Sequence, residues 1–324
     1  MVGFSTGGNN LSPQFGMPLF GIAGSPAPFT GNYFWVDGTN GSDGNTGGPQ
    51  DPFKTLSQAQ SACLAGNNDV VFFTGTYSPA ATFVWSKNNT HIIGLDADGP
   101  FATPTISVAS VAATSGAFSP LLSVTATGCI FQNLSIISGI GQAATQVAVA
   151  EAGGSNSYVN VNINQVGNAT AGAQAGNRAL TLASANNYFQ NCVIGSDAIV
   201  RATGTNSNVT ILAGTGSTVF RGCLFPMWSS VAANTFIIAA TATMSGNIIL
   251  DQCILTNNLQ GAGYVANTQA FSISATAGGI LLLTPSTIVA GATILNTGGT
   301  GPVYVSTVAA SATAAAGSKA TAAT

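Results

Sequence analysis

Residues 131–136 read FQNLSI, and the same pattern, apolar-x-x-apolar-x-apolar, returns as YVNVNI from Tyr158, FQNCVI from Phe189, FRGCLF from Phe220 and LDQCIL from Leu250. The starts lie 27, 31, 31 and 30 residues apart. A weaker match, ILLLTP from Ile280, extends the series, and VVFFTG from Val70 and IIGLDA from Ile92 read as earlier, shorter turns. Between these hexapeptides the chain holds short apolar runs divided by Gly, Asn, Ser and Thr clusters, without a helical period. A repeat of this length built from strands and turns is one coil of a parallel β-solenoid, so the fold class is all-β.

Stacking the hexapeptides about 4.8 Å apart gives several residues a structural reading. Cys192, Cys223 and Cys253 fall at one coil position with Leu134 and Val161, which predicts an inward thiol stack. The chain's five cysteines contain no CxxC pair, which argues against both a disulfide framework and a zinc site. Asn133, Asn160 and Asn191 align at a second position, where stacked amides can hydrogen-bond from rung to rung. Arg221 and Asp251 align at a third, which predicts a cross-rung ion pair.

Working outward, the chain divides into four zones. Residues 1–32 are rich in Gly, Pro and Ser with isolated aromatic residues, and read as an extended docking arm. Residues 33–66 read as an opening strand (YFWVD), a polar loop, and a short capping helix with Asp51 as N-cap, Pro52 at the first helical position, Phe53, Leu56 and Cys63 on one face, and Gly66 past the end. A solenoid has open ends that need covering, and this helix is placed to cover the first. Residues 67–308 form the solenoid, and residues 309–324 (AASATAAAGSKATAAT) form a low-complexity C-terminal tail with no fold of its own.

The composition narrows the function. Charged residues make 5% of the chain, against about 25% in an ordinary soluble domain. Six Lys plus Arg cannot build the basic stripe that nucleic acid requires. A hydrophobic share of 46% excludes a solvated disordered chain. Nor is there a membrane span: the best candidate, GGILLLTPSTIVAG at 278–291, is broken by Thr284, Pro285 and Ser286. The first residues, MVGFSTGGNN, lack the basic and apolar regions of a secretory signal.

The stretch YFWVDGTNGSDGNTGGPQDPFKTLSQAQ, followed by DVVFFTGTYSP at 69–79, resembles the entry segment of the pectin-lyase-like right-handed parallel β-helix superfamily. Val36, Asp37, Gly41, Ser42, Asp43, Pro52, Phe53, Thr55, Gly75, Thr76 and Tyr77 carry the resemblance, over about 45 residues. It implies a right-handed coil. It does not choose an activity, since the superfamily holds polysaccharide lyases, hydrolases, phage tailspikes and inert structural proteins.

Catalytic groups are scarce. A carboxylate-pair hydrolase needs two acids about 5 to 9.5 Å apart. Glu151 is the only Glu, and the Asp residues are 37, 43, 51, 69, 96, 98, 197 and 251. Asp96 and Asp98 sit in a turn-like DADGP, and Asp197 with Arg201, or Glu151 on a neighbouring coil, would make a site only if folding joined them. No acidic cluster surrounds Arg178, Arg201 or Arg221, so the lyase chemistry of the superfamily does not carry over. His91 is the only His and sits among apolar residues, where a structural role is expected. Asp37 and Asp43, in the loop 37–45, are weak Ca²⁺ candidates, although Asx-turns explain the same composition. No cofactor is expected. The interface candidates are Phe4, Phe15, Phe20 and Phe29 of the arm, and Trp228, expected in a loop after a coil strand.

The expectation is therefore a bacteriophage virion protein, a capsid decoration, cement or fibre element, that packs against major capsid or other virion proteins at the particle surface. A homo-oligomer, a trimer by analogy with phage β-helix spikes, would hide the neutral outer faces. Two alternatives stand beside it: a tailspike-like protein that binds or cleaves host surface glycan, and a cell-surface adhesin.

Overall fold

The computed structural model describes residues 31–95, 110–113, 117–165, 167–212, 216–239, 244–258, 265–274, 278–296, 303–305 and 308–310. These form a right-handed parallel β-helix. Its walls are an 18-stranded sheet and an 8-stranded sheet, and the smaller one stacks its strands in strict chain order. Phe4, Phe15, Phe20 and Phe29, the acids Asp96 and Asp98, and residues 311–324 of the tail lie outside the described residues.

The hexapeptides take the register that the repeat predicts. Phe131 pairs with Tyr158, Tyr158 with Phe189, Phe189 with Phe220 and Phe220 with Leu250. All five are fully buried, and the aromatic rings stack face to face with centroids 4.9, 4.6 and 4.7 Å apart. Each buried ring is worth about 1.5–3 kcal/mol in burial, and each stacked pair about 0.5–1.5 more. Ile92 enters this column as expected, opposite Phe131.

Two matches shift. Val71, not Val70, stands opposite Ile92, because the strand Asp69–Thr74 is buried on both faces and its apolar run carries no phase. Tyr33 and Trp35 lie over the outer side of that strand, against Phe72. Likewise Leu283, not Ile280, stands opposite Leu250, since a run of four apolar residues fits the pattern in more than one frame.

The corner after each ring is the aligned Asn. Asn133, Asn160 and Asn191 have φ of 54°, 55° and 53°, and Gly222 and Gln252 continue the column at 62° and 54°. This left-handed backbone favours Asn and Gly, and the amides hydrogen-bond along it, Asn160 Nδ2 to Asn133 Oδ1 at 3.2 Å. The thiol stack follows. Cys192, Cys223 and Cys253 are buried and unbridged, and each Sγ donates to the carbonyl of the ladder residue one coil earlier, Tyr158, Phe189 and Phe220 respectively.

The capping helix is shorter than expected, Leu56–Ala62 with Thr55 as N-cap. Asp51 and Pro52 do not begin it. Phe53 is held extended by a bridge to Val36, donating to Trp35 and accepting from Asp37, so no helical turn can include it. Asp51 instead closes its own loop by accepting from Thr46. Leu56, Ala59 and Cys63 are buried beneath the helix, over the first coil. Lys87 Nζ donates to the carbonyls of Ser61 and Cys63 at the helix end, where a cation suits the dipole. At the far end, Val308–Ala310 folds back antiparallel on Val303–Val305. The tail's first residues thus pair the edge strand of the last described coil.

Candidate functional site

The outward face of the coil is where the chain's chemistry changes. The fifth hexapeptide position forms one outer column, with Ser135 opposite Asn162, Asn162 opposite Val193, Val193 opposite Leu224, Leu224 opposite Ile254 and Ile254 opposite Ile288. In its first half the column is polar and self-satisfied, with Asn162 Nδ2 donating to Ser135 Oγ at 3.2 Å. In its second half it is aliphatic, and Ile254 and Ile288 are 45% and 56% exposed. Strand propensity explains β-branched residues here, but it does not explain leaving them uncovered.

Beside this column the wall bulges. Ser196 stands opposite Met227 and Arg201 opposite Ser229, so five steps along one strand span two on its neighbour. The extra residues lie opposite Trp228. That residue is not in a loop as expected. It lies half-buried within the strand Leu224–Ser229. The irregular pairing beside Pro226 lets a residue without an N–H sit inside a sheet. Asp197, on the bulge, accepts from Asn258 Nδ2 at 2.8 Å. Arg201, at its end, is completely buried and donates through Nη1 to Asn208 Oδ1 at 3.1 Å.

The acids do not converge. Glu151 occupies an inner column between Val124 and Leu182. It is buried, and its Oε1 accepts from Gly153 N, Gly154 N, Asn156 Nδ2 and Ser184 Oγ, while Oε2 accepts from the Tyr158 hydroxyl. Burial raises its pKa above the usual glutamate value, and the donors offset only part of that. The arrangement pins the turn between two coils, and both carboxylate oxygens are already engaged by the protein's own donors. Asp251 pairs with Arg221 at 3.5 Å, on the surface, and accepts from Thr284 Oγ1. Asp197, Glu151 and Asp251 therefore serve three separate neighbourhoods.

Asp37 accepts from the backbone of Thr39 and Asn40 and from Asn40 Nδ2, an Asx-turn. Asp43 accepts from Lys54 N, Thr55 N and Thr55 Oγ1, bracing the helix cap. Among the described residues no three His, Cys, Asp or Glu side chains gather as a metal site. His91 is buried, and its Nδ1 accepts from Ile130 N at 3.1 Å. Burial lowers its pKa to about 4. Burial pushes the Cys63 thiol up to about 12 and raises Cys129 and Cys223 as well. Cys253 rises too, first through its hydrogen bond with Cys223. Thiols held protonated in this way are poor nucleophiles.

Sequence reasoning missed two buried amide ladders. Asn156 Oδ1 accepts from Cys129 N and Asn187 Oδ1 from Asn156 N. On the other wall Asn177 serves Gln146 N, Asn206 serves Asn177 N and Asn234 serves Asn206 N. Each amide satisfies a backbone N–H in the preceding coil, which is what permits burial. The signal was an Asn two places before the ladder ring at Tyr158 and Phe189.

No family model and no curated protein matches the sequence. Among solved structures, the chain is similar to the pectate lyase Pel9A, with a TM-score of 0.51 and 15% identity over 85% of this chain and 68% of that one. It is also similar to the pectin methylesterase PemA from Erwinia chrysanthemi, with a TM-score of 0.51 and 13% identity over 84% of this chain and 80% of that one. At such identities the likeness extends to the fold alone.

Proposed function

We propose that this chain is a structural component of a bacteriophage particle, a decoration, cement or fibre element, working by lateral packing of its coils and not by catalysis. The observation that carries the reading is the outer column, which runs from Ser135 and Asn162 past the buried Val193 to half-buried Leu224 and exposed Ile254 and Ile288, while the buried column behind it stays apolar throughout. Aliphatic residues on a solvent face cost solubility unless something covers them. A second copy is the occupant of choice, because the column runs along the coil axis and copies related by an axis parallel to it, as in a trimer, meet along its length. Arm residues Phe4, Phe15, Phe20 and Phe29 then engage a capsid or tail protein. Mass spectrometry of purified particles tests this. The reading requires the chain at a copy number that is a multiple of a capsid or tail symmetry, and its absence from particles refutes it.

A second reading is a tailspike-like, polysaccharide-binding or polysaccharide-cleaving protein. It is favoured by the bulge, which sets half-buried Trp228 opposite the segment carrying Asp197; bulges commonly re-aim side chains next to active sites. Both similar enzymes are named for pectin or pectate. Depolymerisation of host surface glycan, lost in Asp197→Asn, would support it. No activity and no glycan binding by the intact chain would remove it.

A further inference from the structure

Arg201 is fully enclosed in the coil and makes no salt bridge among the described residues. Its main chain is fixed, the carbonyl accepting from Ser230 N and Asn234 Nδ2. Its guanidinium is fixed as well. Asn208 accepts from Nη1, and Asn208 is itself clamped through Nδ2 to the carbonyls of Ile194 and Pro226, at 2.5 and 2.9 Å. What remains is Nε and Nη2, both buried and without a hydrogen-bond partner among the described residues.

Those two nitrogens lie on one edge of the guanidinium plane, with N–H bonds that point the same way. This is the fork that clasps an anion through two parallel hydrogen bonds. The charge that bears on Arg201 is that of Arg178, which has the same sign. An enclosed cation without a counter-charge costs several kcal/mol, and a water molecule could satisfy the N–H groups but not the charge. Burial lowers the pKa only to about 9, so the group is still cationic at neutral pH. A second buried polar group lies in the coil before the bulge. Gln165 directly follows the strand Ser157–Asn164, whose Ile163 is opposite Ile194, just before the bulged strand begins. It too is fully buried, with both amide atoms unpartnered among the described residues.

We propose that the free edge of Arg201 holds a small inorganic anion of halide type, enclosed in the coil at the bulge and taken up as the chain folds. Size follows from the enclosure, since an arginine with no exposed surface leaves no path for a sugar acid or a phosphate ester. The anion supplies the charge that the acid-poor sequence does not.

The test is to refold the full chain from urea in chloride or in gluconate at equal ionic strength and compare thermal midpoints. A ligand bound by the native state alone raises the midpoint by mass action. The expected result is a midpoint several degrees higher in chloride, with the difference abolished in Arg201→Met. Crystals grown in bromide should show an anomalous peak within hydrogen-bonding distance of Nε and Nη2. Should Arg201→Met fail to fold, the wild-type salt comparison and the bromide peak still decide. Equal wild-type midpoints, or a bromide-free site occupied by ordered water, would overturn the proposal.

Discussion

Compared rung by rung, the first and second halves of the β-helix agree inside and disagree outside. The inner column runs Phe131, Tyr158, Phe189, Phe220 and Leu250 without a break in burial. The outer column, one side chain away, passes from Ser135 and Asn162 to Leu224, Ile254 and Ile288. Coil stacking makes the same demand on every rung, so the inner column reports what the fold needs. The outer change is not required by the fold, and on the proposed reading it marks the packing surface.

The comparison breaks most visibly if an inner residue proves dispensable. Phe189→Ala removes a ring stacked on both sides, and should cost about 3–5 kcal/mol in urea unfolding; a cost under about 1 kcal/mol would mean the ladder is not continuous. Next comes pH. The folded-state pKa of His91 is lowered from 6.5 to about 4, so between these values the unfolded chain binds more protons. Stability is therefore complete above pH 6.5 and falls as pH drops towards 4, by roughly 3 kcal/mol in all. His91→Gln, which keeps an acceptor for Ile130 N, should flatten that slope in a pH series of melts.

Smaller effects sharpen the account. Asn177→Ala strands the buried N–H of Gln146 and should cost about 1–3 kcal/mol. Hydrogen exchange at Gln146 would report the loss directly. Arg221→Ala removes an ion pair whose arginine is 54% exposed, and less than about 1 kcal/mol should be lost, shrinking in salt.

Much of this was legible in the sequence, for a physical reason. Parallel stacking repeats each constraint once per coil, so spacing alone revealed the ring ladder, the thiols, the Asn corner and the Arg221–Asp251 pair. Legibility failed where a run had no phase, as at Val70 and Ile280, or where a contact was not periodic. Phe53 was lost to a bridge with Val36 that occurs once. Trp228 was misplaced because a bulge in the neighbouring coil, invisible in its own segment, let Pro226 sit in a strand. The outer column was fully readable, as Ser, Asn, Val, Leu and Ile at the fifth hexapeptide position, yet its meaning depends on knowing that this position faces outward. The burial of Arg201 could not be read, since it follows from the same bulge.

The central claim, that the aliphatic half of the outer column is a packing surface, is tested most directly by sedimentation of the intact chain and of the Ile254→Ser/Ile288→Ser double variant. Both positions are exposed, so the circular dichroism of the fold should be nearly unchanged, while the melting point falls only by the share that association contributes. The account predicts a concentration-dependent oligomer, a trimer by preference, for the wild-type chain and a monomer for the variant. A wild-type chain that stays monomeric at high concentration, or a variant that associates equally well, would contradict it.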